Sequence, residues 1–299
     1  MRWRYILKTV GILSVVLGLT MLFPLAWGLI SGDGSVVPLV KSVLITLGVG
    51  VGLILLFRCP KSEYISQQEG MAIVAIGWAT AGLLGALPFY FSDHFLTVVD
   101  AVFESVSGFT TTGASVLTDI EAVPAGLLLW RSFIQWLGGM GIIVLSVAIL
   151  PFLGVGGMQL YKAEVPSPVP DKLKPRIRET AMSLWRVYAL LTLAQIALLL
   201  LGGMGLLDSL CHKFTTLPTG GFSTKNASIA HFDSLYIDSV IIFFMFMAGI
   251  NFSLHFQLFK GRPLALWRDS ECRFYVAAVL ILTAIVTVNI YGETYAHLG

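Results

Sequence analysis

The sequence predicts an all-α membrane protein with seven transmembrane helices and two further short helices that enter the membrane and turn back. Three observations carry this. Of 299 residues, 56% are hydrophobic and only 12% charged, with mean hydropathy +0.84, and that is about half the charge of an ordinary soluble domain. Apolar stretches of crossing length recur along the whole chain. Between them lie two segments too short and too polar to cross alone, near 96–120 and 208–231.

The first span is predicted over 9–30. The basic start, Arg2, Arg4 and Lys8, has the look of a signal-peptide head, but the apolar run continues to about Ile30. A signal core ends after roughly 7–15 residues, so an uncleaved span is the better reading. Further spans follow at 36–57, 71–91, 126–153, 184–207, 235–258 and 274–291, their cores almost free of charge. Each mid-span charge would cost roughly 2.5–3.5 kcal/mol.

With the N-terminus cytoplasmic and both odd segments returning to the outer side, all of the 19 basic residues except Lys41, Arg131, Lys213 and Lys225 fall on the cytoplasmic face. Asp93, Asp100, Glu104, Asp119, Glu121, Asp208, Asp233 and Asp238 fall outside or near it. This obeys the positive-inside rule. A full crossing at the first odd segment would put the basic 158–182 linker outside, so charge and length agree. That linker, with Pro166, Pro168, Pro170 and Pro175, cannot be one continuous helix. It is read as a cytoplasmic loop with a short helix from about Asp171, and as a candidate partner surface.

A repeat underlies this layout. At an offset of 108, Asp100 aligns with Asp208, Gly113 with Gly221, Ser115 with Ser223, and Gly141-Ile142 with Gly249-Ile250. Each unit reads as span, half-helix, Gly/Thr loop, span, with no gap in the alignment. The expected divisions are 1–60 for two extra N-terminal helices, 61–157 for the first repeat and 158–182 for the linker. The second repeat takes 183–262, and 263–299 begins a third.

The loops, Ser107–Ser115 and Thr215–Ser223, are where chemistry is expected. Irregular backbone at membrane depth is tolerated only where protein buries it or water reaches it. Glycine lets successive carbonyls point inward, and such carbonyls can replace the hydration shell of a potassium ion. Half-helices over about 97–109 and 205–216 would aim their negative ends at an entering cation.

On these residues the chain resembles the Trk/Ktr/HKT superfamily of potassium transporters, and its bacterial TrkH-type membrane subunits in particular. The text that carries the likeness is Ser107-Gly108-Phe109-Thr110-Thr111-Thr112-Gly113-Ala114-Ser115, then Trp136-Leu137-Gly138-Gly139-Met140-Gly141-Ile142, then Pro218-Thr219-Gly220-Gly221-Phe222-Ser223. The resemblance implies four potassium-channel-like span–loop–span repeats around one pore. It implies filter carbonyls from Thr111, Thr112 and Gly113 in the first loop and from Thr219, Gly220 and Gly221 in the second. It also implies potassium uptake or symport at the bacterial inner membrane, a homodimer, and a cytoplasmic nucleotide-binding regulatory partner of TrkA type. Only two complete repeats and the first span of a third are present, so the chain is read as the N-terminal portion of such a transporter.

Other features have more ordinary readings. Gly138-Gly139-Met140-Gly141 lies in an apolar span without the strand a phosphate loop needs, so close helix packing is expected. Asp100 and Glu104 are read either as capping groups or as outer-mouth charges that attract cations. Arg131 is read as snorkelling to the outer interface, with pairing to Glu121 or Asp119 as the alternative. Asn251, Ser253 and His255 are read as interhelical hydrogen-bonding or boundary residues, although ionisable groups in spans are functional candidates. Cys59, Cys211 and Cys272 have no metal or disulfide spacing. The net charge of +2 points away from nucleic acid, and membrane lipid is the expected surrounding. No residue pattern demands an acid, base or nucleophile, so an enzyme is not expected, nor a cofactor bound by the chain itself beyond transported potassium. The competing readings are a membrane anchor subunit and an ion-coupled secondary transporter of another solute.

Overall fold

Apolar sequence in a bilayer must satisfy its backbone internally, and helices do so within one segment. The computed structural model describes residues 1–58, 66–153, 173–259, 261 and 264–291, and these contain helices and no strands. The helices are α1 (Trp3–Thr20), α2 (Leu22–Ser31), α3 (Val36–Leu56), α4 (Gln67–Gly85), α5 (Leu87–Tyr90), α6 (Val98–Phe109), α7 (Ala125–Leu153), α8 (Leu173–Leu201), α9 (Leu206–Thr216), α10 (Leu235–Ala248), α11 (Phe252–Phe259), α12 (Leu264–Arg268) and α13 (Ser270–Tyr291). Among the described residues, five stretches are long and apolar enough to cross a membrane: Trp3–Ser31, Val36–Leu56, Gln68–Tyr90, Met182–Leu201 and Ser270–Ile290. α7, with 29 residues, occupies the place of the expected fourth span. The chain is a multi-pass membrane protein.

The two odd segments form helices of 12 and 11 residues, α6 and α9. Both are far short of the roughly 20 residues a crossing needs, and their bounds lie within one residue of expectation.

Two expectations are corrected. The sixth span is not continuous: α10 ends at Ala248, and α11 starts at Phe252. Two of the carbonyls near the break are taken by side chains. Tyr275 Oη donates to the Phe246 carbonyl at 3.2 Å, and His255 Nε2 lies 2.8 Å from that of Met247. The short helix expected from about Asp171 is instead the start of α8, which runs unbroken from Leu173 to Leu201. Pro175 falls in its first turn, where a missing N–H is tolerated. The linker residues 158–172, Cys59 and Lys61 lie outside the described residues.

Small residues set the close packing of α1 on α3. A Cβ on Gly50 would lie 2.9 Å from the Gly11 carbonyl oxygen, and one on Gly11 would meet the Gly50 carbonyl at the same distance. One core gathers Met21, Leu39, Phe89, Leu127, Trp130 and Ile134 around the first repeat, and a second gathers Val187, Tyr188, Leu199, Ile237 and Phe244 around the second. α7 joins them: Phe133 stacks on Trp136 at 5.2 to 5.7 Å from Phe214 of α9, and Trp136 lies 5.5 Å from Tyr188 of α8. Both half-helices therefore rest on one long helix.

Candidate functional site

Each loop grows from the C-terminal end of a half-helix. α6 starts with a capping box, in which Thr97 Oγ1 accepts from Asp100 N at 3.1 Å and the Asp100 carboxylate accepts from Thr97 N at 3.0 Å. Asp208, at the matching place in α9, instead accepts from Thr224 Oγ1 at 2.6 Å.

At the other end the two loops make the same backbone bonds. Thr111 N donates to the Gly108 carbonyl at 3.0 Å and Thr112 N to that of Ser107 at 2.9 Å. At the matching positions Thr219 N donates to Thr216 at 3.0 Å and Gly220 N to Thr215 at 2.9 Å. Thr111 has φ +55° and Gly113 +77°, while Thr219 has φ +59° and Gly221 +76°. The residues between them, Thr112 and Gly220, stay out of the left-handed region. Threonine at positive φ is uncommon, and such strain persists only where the surroundings enforce it.

This geometry has a direct consequence for the carbonyls. A trans peptide sets C=O opposite the N–H of the next residue. Donors turned back to the half-helices leave the carbonyls of Thr110, Thr111, Pro218 and Thr219 directed away from them. The loops also touch each other, since a Cβ added to Gly113 would overlap the Gly220 carbonyl oxygen. One added to Gly220 would overlap the Gln135 amide, whose Oε1 faces Phe222 N at 3.4 Å. Gly138 and Gly139 serve close packing, because side chains there would overlap the Phe109 carbonyl and Pro218.

Behind the loops lies a buried ion pair. Arg131 Nε lies 2.5 Å from Glu104 Oε1, and the two side chains are 2% and 0% exposed. Glu104 also accepts from Ser115 Oγ at 2.9 Å and Val116 N at 3.0 Å. Arg131 Nη1 donates to the Ser223 carbonyl at 3.0 Å, and its guanidinium carbon sits 3.6 Å over the Phe222 ring. Glu104 is thus not a mouth charge, and Arg131 does not snorkel to the interface. Each neutralises the other, and losing one partner of such a pair costs about 3–5 kcal/mol. In the second repeat His212 holds the Glu104 position, and its Nε2 lies 3.0 Å from Ser223 Oγ.

Beyond the loops, Asn226 joins the segments that follow them. Its Nδ2 donates to Asp119 Oδ1 at 2.9 Å, and its Oδ1 accepts from Ile120 N at 2.8 Å. The Asn226 side-chain hydrogen bond holds the Asp119 carboxyl below its ordinary value, aided by backbone bonds from Glu121 and Ala122 and opposed by partial desolvation.

The six expected filter residues thus come together in two touching loops. Gln135, Asn226 and the Glu104–Arg131 bond were not foreseen. The one signal available was the repeat, which pairs Ser115 with Ser223 as the hydroxyls bound by positions 104 and 212.

A family model described as TrkH, a cation transport protein, matches residues 40–296. The chain belongs to the TrkH family. It is 45% identical over 307 residues to the Trk system potassium uptake protein TrkH of Salmonella typhimurium, covering 100% of this chain and 63% of that one. Identity to the Vibrio parahaemolyticus protein of the same name is 42% over 287 residues, covering 94% and 59%. Its fold is similar to the crystal structure of the potassium transporter TrkH from Vibrio parahaemolyticus, with TM-score 0.85, 37% identity, and coverage of 98% of this chain and 61% of that one. The chain spans about 60% of the length of these TrkH relatives.

Proposed function

We propose that this TrkH-family chain forms part of a potassium uptake pathway in a bacterial inner membrane, with selectivity from backbone carbonyls of its two loops. The carrying observation is the alternating backbone at Thr111–Gly113 and Thr219–Gly221, with left-handed φ at matching positions. Potassium holds its water weakly enough for a rigid set of carbonyls to replace it, whereas a sodium ion in the same frame is less well matched. Thr111, Thr112, Gly113, Thr219, Gly220 and Gly221 are the ion-facing residues on this reading. α6 and α9 are re-entrant, their negative ends turned toward the ion, and they stand among seven crossings with the N-terminus cytoplasmic. A TrkA-type regulatory subunit and a homodimer complete the assembly. The relatives are named for potassium uptake, which supports the choice of ion.

Rubidium and sodium uptake in a bacterial strain lacking its own potassium uptake systems tests this. Gly221→Ser forces a side chain into φ +76° with open space around it, whereas Gly113→Ser also collides with the Gly220 carbonyl. Both changes should lower the rubidium-to-sodium ratio by about tenfold, the equivalent of about 1.4 kcal/mol of discrimination. Gly113→Ser should also reduce total flux. Wild-type ratios in both variants would refute the filter. Absence of any rubidium uptake by the wild type would favour an anchor role.

A further inference from the structure

The Glu104–Arg131 pair does more than fill the space behind the loops, because each partner holds a different loop. Glu104 takes Ser115 Oγ and Val116 N, just beyond the first loop's Gly113. Arg131, 2.5 Å away, takes the Ser223 carbonyl and sits over the Phe222 ring, just beyond the second loop's Gly221. The chain of bonds Val116–Glu104–Arg131–Ser223 therefore spans from one loop to the other through two buried side chains. The second repeat has no counterpart: position 212 is His and position 239, the equivalent of Arg131, is Ser. The bridge is asymmetric, made by the first repeat and reaching into the second.

We propose that Glu104 and Arg131 are specificity-positioning residues whose ion pair sets the spacing between the two filter loops. This rests on the carbonyl-filter reading above. A filter discriminates between ions differing by a few tenths of an ångström only if its walls are held. A planar guanidinium with fixed donors can hold two acceptors and a ring face at once. An ammonium is a point charge without that geometry.

The test measures rubidium and sodium uptake, together with the amount of folded protein in the membrane, for Arg131→Lys, Glu104→Gln and the wild type. Arg131→Lys keeps the charge but loses the fork. Glu104→Gln keeps the shape and one acceptor but loses the charge. The pair acting as a spacer predicts a fall of about tenfold in the rubidium-to-sodium ratio at matched protein level, on the scale of other small misplacements of site groups. A merely structural role predicts less protein and equal loss of both fluxes, with the ratio unchanged, and that result would overturn the proposal. Should Arg131→Lys fail to accumulate, the ratio in Glu104→Gln decides alone. A wild type that is itself non-selective would defeat the filter reading rather than the spacer.

Discussion

Lys213 of α9 carries an amine among aromatic rings from α7, α8 and α9. The side chain is fully buried, with Nζ 4.8 Å from the Phe214 ring, 5.0 Å from Trp136 and 5.6 Å from Tyr188. Among the described residues the Nζ has no hydrogen-bond partner. Cation–π attraction in a desolvated site is worth about 2 kcal/mol or more, against an effective cost of several kcal/mol for stripping water from an ion. Desolvation outweighs the attraction, so Lys213→Met, which keeps the length and loses the charge, should stabilise the fold by about 1 kcal/mol. Thermal unfolding in detergent reads this directly, and a lowered midpoint would show that the rings more than offset desolvation. Arg131 teaches the complementary lesson. Its buried carboxylate partner stands 27 positions away in the chain, a separation at which no helical or strand periodicity relates two residues. Its pairing became legible only once α7 docked against α6.

Element by element, much of the design was readable because bilayer thickness is a ruler. α6 and α9 fall within a residue of expectation, since both lie in segments too short and too polar to cross alone. The break between α10 and α11 was hidden for the same reason: the window 235–258 is apolar enough on average, despite Asp238, Asn251 and His255, that hydropathy sees one span. What interrupts it is tertiary. A side chain at Gly249 would overlap Tyr275, and the freed Met247 carbonyl is answered by His255 Nε2 at 2.8 Å. A carbonyl can only accept, so this nitrogen carries the proton. His255→Leu would leave that carbonyl without its partner and should cost about 1–3 kcal/mol, readable as a lower unfolding midpoint. No change there would mean that water or another group supplies the bond. The sequence also offered Asn251 and Ser253 as candidates of equal rank with His255, and nothing in their spacing pointed to the bond from His255 back to Met247.

At the scale of the molecule, the two repeats meet through α7, the Glu104–Arg131 bridge and the Asn226 contacts beyond the loops. The last of these gives a pH signature. Asp119 is held below its ordinary value when folded, so its bond contributes stability above the unfolded-state value and loses it as pH falls through the folded one. The group is exposed, so the effect is small and screened by salt. Between neutral and strongly acid pH the unfolding midpoint should therefore fall slightly less in Asn226→Ala than in the wild type, and an identical acid loss in both would show that the bridge adds no stability. The matching loop positions were legible from residue identities at one offset, and so was the all-helical membrane class. The asymmetry of the supports was not, because His212 in place of Glu104 reads as an ordinary substitution until the partner is seen. The matching backbone bonds of Thr111–Thr112 and Thr219–Gly220 are encoded in two separate stretches of one chain. In a pore built from identical subunits, every substitution is imposed on all walls at once. On the filter reading proposed above, each wall is written independently here, so evolution can change one and keep the other, tuning ion preference in single graded steps.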